Sequence, residues 1–174
     1  MKRSLKGLTQ IYTGNGKGKT TAALGLAMRA VGTGLKVYIH QFIKGSPCGE
    51  HKTLRKIDNI KIERCGRGCF VRKKPAIKDI ECAVRGLARA RRVINSGEYD
   101  MVILDEINTA LDVGLLKPVE VLAVIREKPT SVELILTGRY CPKSLFKYAD
   151  LVTEMRKVKH PFDKGISARK GIEY

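Results

Sequence analysis

One segment near the start of the chain combines glycines, lysines and threonines at a spacing that suits phosphate binding. Residues 13–21 read Thr-Gly-Asn-Gly-Lys-Gly-Lys-Thr-Thr, between a predicted strand and a predicted helix. The glycines let backbone N–H groups turn inward around phosphate oxygens, and the start of the helix adds the positive end of its dipole. Lys19 would contact a phosphate, and the Thr20 hydroxyl would bind Mg²⁺. We therefore predict a P-loop that binds ATP with Mg²⁺, in a variant form because Thr13 replaces the usual first glycine.

Two acidic residues directly follow a run of four apolar residues. Met101 to Leu104 predicts a central strand that is covered on both faces, and Asp105 and Glu106 come next. A carboxylate at the carboxyl end of such a strand would lie beside the P-loop and help to hold Mg²⁺, directly or through water. The residues alone leave open which carboxylate binds the metal, and a buried strand can also end in an acidic residue without any metal.

Two arginines are further candidates for phosphate binding. Arg139 follows a later predicted strand and would lie at the same edge of the sheet, and Arg29 lies on the surface of the first helix. Either one could equally be a surface ion-pair partner. The candidate ATP-binding residues are therefore Gly14, Asn15, Gly16, Lys17, Gly18, Lys19, Thr20, Thr21, Arg29 and Arg139.

The elements that must position these residues alternate between short apolar strands and helical patterns. Helices are predicted after the P-loop and after Pro75, and two short helices are predicted after Glu106, the second opened by Pro118. This order predicts a three-layer α/β fold with a parallel sheet. The predicted strands are 8–13, 35–42, 60–62, 101–104 and 132–136, and a last, edge strand is predicted to start within 149–152.

Length and composition narrow the class of protein. The 174 residues are 43% hydrophobic and 29% charged, which predicts one globular domain over residues 1–174. We expect a soluble, cytoplasmic protein, because no apolar stretch could span a membrane and no secretory signal is visible. The net charge of +17 would attract polyanions, and 14 of the 34 basic residues lie between Lys52 and Arg92. A solvated basic face explains this charge equally well.

Five segments occur in an order that closely resembles the P-loop corrinoid adenosyltransferases. The resemblance runs from about Leu8 to Tyr174 and implies a RecA-type parallel sheet, commonly in a homodimer. It also implies transfer of the 5′-deoxyadenosyl group of ATP to the cobalt of a reduced corrinoid, with release of triphosphate. The five segments are Gly-Asn-Gly-Lys-Gly-Lys-Thr-Thr-Ala-Ala at 14–23, Gln-Phe-Ile-Lys-Gly at 41–45, Val-Ile-Leu-Asp-Glu at 102–106, Leu-Thr-Gly-Arg at 136–139 and Val-Lys-His-Pro-Phe at 158–162.

The resemblance also implies roles for single residues. Residues 14–21 would cradle the triphosphate, with Lys19 on it, Thr20 and Glu106 at Mg²⁺, and Arg29 and Arg139 assisting. In this family the nucleotide lies reversed on the loop, so that C5′ rather than the γ-phosphorus faces the nucleophile.

The chain departs from the family pattern on the corrinoid side and near its end. Relatives use aromatic residues, including a tryptophan, to displace the lower axial ligand of the corrinoid, whereas this chain has no tryptophan. Phe70 is the nearest candidate, and it could equally be a core residue. Arg169-Lys170 stands where an Ala-Gln-x-Gly pattern is usual.

Other functions that would use the same loop are a nucleic-acid-stimulated ATPase, a small-molecule kinase and a non-catalytic nucleotide-binding module. Nucleic-acid binding is not expected, because the six tyrosines and four phenylalanines do not cluster near the basic segment. An acidic flavoprotein that supplies electrons for the corrinoid is a partner that would suit the basic charge.

Overall fold

Six parallel strands form one sheet in a computed structural model, which describes residues 6–66 and 75–173 of the chain. Their spatial order is β3-β2-β4-β5-β1-β6. The strands are β1 (Thr9–Thr13), β2 (Val37–Gln41), β3 (Ile60–Arg64), β4 (Met101–Asp105), β5 (Glu133–Thr137) and β6 (Leu151–Glu154).

Helices connect the strands. Pro118 opens the last α-helix at its first turn, where a missing N–H breaks no helical hydrogen bond. The helices are α1 (Lys19–Gly32), α2 (Gly49–Leu54), α3 (Ile77–Ile94), α4 (Ile107–Asp112) and α5 (Pro118–Glu127), with two 3₁₀ helices at Lys143–Tyr148 and Pro161–Lys164. Within the described residues, none of these helices is long and apolar enough to cross a membrane.

The side chains of the central strands alternate between two hydrophobic cores. In β4, Val102 and Leu104 pack with residues of α3, α4 and α5. Met101 and Ile103 point to the opposite face, where they pack with alanines of α1. Because both faces are covered, the strand is apolar at successive positions. The predicted three-layer α/β fold with a parallel sheet, of the P-loop NTPase type, is confirmed.

The predicted strands are all present, with ends that differ by at most two residues. The largest change at a carboxyl end is in β3, which was predicted to stop at Ile62 and continues to Arg64. Pairing with β2 explains the extension, because Glu63 and Arg64 lie in register with His40 and Gln41. The last strand, β6, lies at the edge of the sheet as predicted.

The strand order sets the position of the predicted site. All six strands are parallel, so the P-loop after β1 and the carboxylates after β4 lie at the same edge of the sheet. β5 lies between β1 and β4. Any contact between the P-loop and the carboxylates must therefore pass over the carboxyl end of β5.

Candidate nucleotide-binding site

The P-loop lysine lies within its own loop. Lys19 is only 6% exposed, and its Nζ donates hydrogen bonds to the carbonyl oxygens of Gly14 at 2.8 Å and Gly16 at 2.7 Å. Burial lowers the pKa of Lys19, with a smaller contribution in the same direction from Arg139, while Glu106 and Asp105 act to raise it. The ammonium group is thus held at the loop, where it could meet the phosphate oxygens of a bound nucleotide.

Asp105 is the center of a buried hydrogen-bond network. Its Oδ1 accepts hydrogen bonds from the hydroxyls of Thr20 at 2.8 Å and Thr137 at 2.6 Å, and its Oδ2 accepts one from Gln41 Nε2 at 2.9 Å. The side chain is fully buried. Three donors satisfy a carboxylate that would otherwise be costly to bury. Asp105 therefore positions the Thr20 hydroxyl and connects the P-loop helix to three strands.

Glu106 has a different environment from its neighbour. Its Oε2 accepts a hydrogen bond from the Thr109 hydroxyl at 2.5 Å, and its backbone N–H donates to Thr137 Oγ1 at 3.0 Å. Among the hydrogen bonds of the described residues, none involves its Oε1. Burial raises the pKa of Glu106, and Asp105 adds to this, whereas Thr109 and nearby lysines oppose it. One carboxylate oxygen of Glu106 thus stays available for a ligand.

A second lysine lies beside the two carboxylates. Lys44 Nζ donates a hydrogen bond to Glu50 Oε1 at 2.7 Å. Burial acts to lower the pKa of Lys44, but attraction to Asp105 and the contacts with Glu50 outweigh it, so the pKa is raised and the side chain keeps its charge. We did not predict Lys44 or Gln41 as site residues. The available signal was the Gln-Phe-Ile-Lys-Gly segment at 41–45, which is part of the resemblance and contains both residues.

Within residues 6–66 and 75–173, three residues other than glycine adopt positive φ angles, and all three follow strands at this edge of the sheet. They are Ile43 after β2 (62°), Glu106 after β4 (61°) and Tyr140 after β5 (54°). Such conformations cost free energy and persist where the surrounding structure over-determines them, often at functional sites. For the β-branched Ile43 the conformation is especially unfavourable. The strain therefore marks the same edge as the polar residues do.

Thr13 explains the variant form of the loop. Its side chain is buried, and its hydroxyl accepts a hydrogen bond from the Cys141 N–H at 3.1 Å. Glycine at this position could not make that bond. Thr13 thus ties the start of the loop to the segment that follows β5.

The structure places the other predicted residues in different ways. Arg139 lies at the site edge, where its N–H donates to Thr109 Oγ1 at 3.0 Å. Thr21 is exposed on the first turn of α1. Arg29 is in the last turn of α1, about 15 Å along the helix axis from Lys19 at the usual rise per residue. Phe70 lies outside the described residues.

The P-loop borders a cavity of about 450 Å³ on the side of β6. Its lining includes Asn15 of the loop, the cations Lys143, Arg156 and Lys157, the acidic residue Glu154, and Phe146. Cations suit phosphates, and aromatic rings suit a base. The space could hold part of a nucleotide.

The fold and the site together define a class of protein. A parallel α/β sheet carries a glycine-rich loop with a buried lysine before a helix, and a carboxylate from another strand contacts the threonine that follows that lysine. These are the features of a P-loop nucleotide-binding protein.

Comparisons with known proteins identify the family within that class. The family of ATP:corrinoid adenosyltransferases of the BtuR/CobO/CobP type matches residues 5–174. A corrinoid adenosyltransferase of Escherichia coli K12 is 38% identical over 170 residues, which are 97% of this chain and 86% of that protein. One from Pseudomonas aeruginosa is 36% identical over 99% of this chain and 86% of its own length. The chain belongs to the ATP:corrinoid adenosyltransferase family.

The contact between Thr109 and Glu106 leads to a prediction on pH dependence. A role of Glu106 as an anion requires its ionised form, which is lost as the pH falls through its pKa. Thr109→Val removes a hydrogen bond that lowers this pKa. We expect the acidic limb of the pH profile of kcat/KM to move to higher pH, since the free enzyme would then take up a proton earlier.

Thr109→Ser is the matched control, because it keeps the hydroxyl and should keep the wild-type profile. An acidic limb that stays in place in Thr109→Val would show that the ionisation of Glu106 does not limit the reaction.

Proposed function

We propose that the P-loop of this chain binds the triphosphate of ATP while the 5′-deoxyadenosyl group is transferred to the cobalt of a reduced corrinoid. The observation that carries this proposal is the family match over residues 5–174, which includes the loop and both carboxylates of the site. The comparisons do not favour a nucleic-acid-stimulated ATPase or a kinase.

In the proposed reaction, the bonds that form and break lie in the two substrates, and the residues of the protein form no covalent bond. Co(I) attacks C5′ of ATP, the cobalt–carbon bond forms as the C5′–O bond breaks, and the electron pair of that bond leaves with triphosphate. The two electrons of the new cobalt–carbon bond come from cobalt, which is formally oxidised to Co(III). The corrinoid therefore supplies the reactivity. The chain has to hold both substrates and stabilise the negative charge on the leaving group.

Three cations of the chain suit that second task. Lys19 lies within the loop, Lys44 follows β2, and Arg139 follows β5, near enough to Lys19 to act on its pKa. Charges that are fixed before the reaction stabilise a developing anion more than mobile ones, because they need no reorganisation. We propose that they contact the triphosphate, and that backbone N–H groups of residues 14–21 complete its binding. Arg29 stays a candidate that rests on the resemblance.

We further propose that Mg²⁺ is held by the Thr20 hydroxyl and a Glu106 oxygen. Oxygen ligands of this kind are what Mg²⁺ prefers, and Glu106 has one oxygen with no hydrogen bond among those of the described residues. Asp105 already accepts three hydrogen bonds. Its role would be to orient Thr20, or to bind a water of the metal. The metal would neutralise part of the charge on the phosphates.

Partners and location are further proposals. A homodimer, which sedimentation would test, is supported by the resemblance and by exposed apolar side chains on α3 such as Ile77. A cytoplasmic location, testable by fractionation, fits a substrate such as ATP.

An acidic flavoprotein reductant fits the charge of +17, and coupled turnover should then fall as ionic strength rises. Phe70 stays the candidate on the corrinoid side.

An anaerobic assay tests the proposed reaction. The protein is supplied with ATP, Mg²⁺ and chemically reduced corrinoid, and both products are quantified. We expect adenosylated corrinoid and inorganic triphosphate in equal amounts. Production of ADP and phosphate instead would contradict the adenosyl transfer.

Lys19→Ala tests the role of the loop in that assay. Removing the ammonium deletes a contact to the leaving group, and we expect a loss of about 10²-fold or more in kcat/KM. Its melting temperature serves as the control for folding. Unchanged turnover in a folded variant would remove the P-loop from the mechanism.

A pair of variants distinguishes the proposed roles of the two carboxylates. Glu106→Gln should raise the Mg²⁺ concentration for half-maximal activity by about tenfold or more, with little change in melting temperature, because it alters a metal ligand. Asp105→Asn should lower the melting temperature as well, because it disturbs a buried network. A larger Mg²⁺ effect in Asp105→Asn than in Glu106→Gln would reverse the two assignments.

A further inference from the structure

The segment after β6, residues 155–173, lies directly against the P-loop, and we call it the tail. The Gly16 N–H donates a hydrogen bond to the Met155 carbonyl oxygen at 2.7 Å. The Lys157 N–H donates to Asn15 Oδ1 at 2.9 Å. A Cβ atom on Gly16 would lie 2.8 Å from the Met155 oxygen, closer than real Cβ contacts allow. The tail is therefore an outer wall of the loop.

A third contact joins the far end of the tail to the loop. Lys17 Nζ donates a hydrogen bond to Glu173 Oε1 at 2.8 Å. Lys17 lies between Gly16 and Gly18 in the sequence, so this ion pair holds the middle of the loop. The side chain of Lys17 is thus engaged with the tail, whereas that of Lys19 is engaged within the loop.

Glu173 is also held in place by Arg169, independently of its contact with Lys17. Its Oε1 accepts a hydrogen bond from Arg169 Nη2 at 2.9 Å, and its Oε2 accepts one from the Arg169 backbone N–H at 2.7 Å. The Glu173 N–H in turn donates to the Arg169 carbonyl at 2.9 Å. These contacts, with that of Lys17, hold the pKa of Glu173 well below its usual range. The carboxylate is therefore charged and fixed at neutral pH.

The need for such support follows from the backbone of the loop. Gly14 and Gly18 have φ angles of 102° and 114°, which are conformations that glycine samples freely. A loop rich in glycine loses much conformational entropy when a ligand fixes it. Contacts that hold the loop before ATP binds reduce this cost and so increase affinity.

We propose that Glu173 is a positioning residue for the ATP-binding loop: by holding Lys17 it keeps the 16–18 turn ready for the triphosphate. The ion pair with Arg169 keeps the Glu173 carboxylate in a position where it can bind Lys17. The inference rests on the proposed function only in taking the P-loop as the ATP site. Glu173 contacts no substrate in this scheme and acts through Lys17.

The test compares Glu173→Gln with Glu127→Gln. Both variants remove one negative charge from an ion pair with an arginine, but Glu127 pairs with Arg91 between α5 and α3. For Glu173→Gln we expect the Kd for ATP and its KM to rise about threefold to fivefold, which is the scale of one exposed ion pair. We expect kcat and the KM for corrinoid to stay near wild type. Glu127→Gln should change none of them.

Two further variants show whether the effect passes through Lys17. Lys17→Met should weaken ATP binding by a similar factor, and adding Glu173→Gln to it should cause little further loss, because both remove the same contact. Glu173→Asp, which keeps the charge, should recover part of the affinity.

An unchanged ATP Kd in Glu173→Gln would overturn the proposal. A lowered Kd would also overturn it, since it would show that Glu173 competes with the phosphates for Lys17. The Kd is measured by calorimetry without corrinoid, so this outcome is independent of the adenosyl transfer assay. Failure of the proposed function would instead appear as missing adenosylated product with wild-type protein.

Discussion

The site depends on one buried carboxylate. Asp105 has no exposed surface, and it satisfies its charge with donors from α1, β2 and β5. A single side chain thus fixes the P-loop helix relative to three neighbouring strands. Removing any of the donors would leave a buried charge partly unsatisfied, which costs more than the loss of an ordinary hydrogen bond. The position of Thr20 follows from this network rather than from the loop alone.

Strain and charge are concentrated at the same edge of the sheet. The positive φ angles of Ile43, Glu106 and Tyr140 are tolerated because each residue follows a strand that is fixed by pairing and burial. Burial acts to lower the pKa of Lys44, but attraction to Asp105 and the contacts with Glu50 raise it. The pKa of Glu106 is raised by burial and by Asp105, and the nearby lysines oppose that shift. A charged substrate would enter a site whose polar groups are already oriented.

Because the chain belongs to the corrinoid adenosyltransferase family, the charged residues at this edge of the sheet can be related to a particular reaction. The transfer makes triphosphate the leaving group, so the chain must bind phosphates that do not themselves react. A buried lysine, a second lysine beside the carboxylates and an arginine after β5 are suited to that demand. The tail adds a wall on the other side of the loop. In the proposed function, the residues of the site would act mainly by binding and positioning the substrates.

The sequence by itself determined the elements of the fold, and it indicated candidate residues for the site. Apolar runs such as Met101 to Leu104 indicate buried parallel strands because both faces need apolar cover, and the spacing of Lys19 and Thr20 after glycines indicates phosphate binding. Tertiary structure decided which residues meet: Asp105 rather than Glu106 contacts Thr20, Lys44 joins the site, and Arg29 lies at the far end of α1.

The clearest example of a contact that only the tertiary structure decided is at Gly16. From the sequence we predict that it belongs to a phosphate-binding loop, and in the structure it makes room for the backbone of Met155, which is distant along the chain. Spacing within a segment reports local geometry, because it depends on neighbouring residues only. Contacts between the loop and the tail depend on the strand order that places β6 beside β1, and no local pattern contains that order.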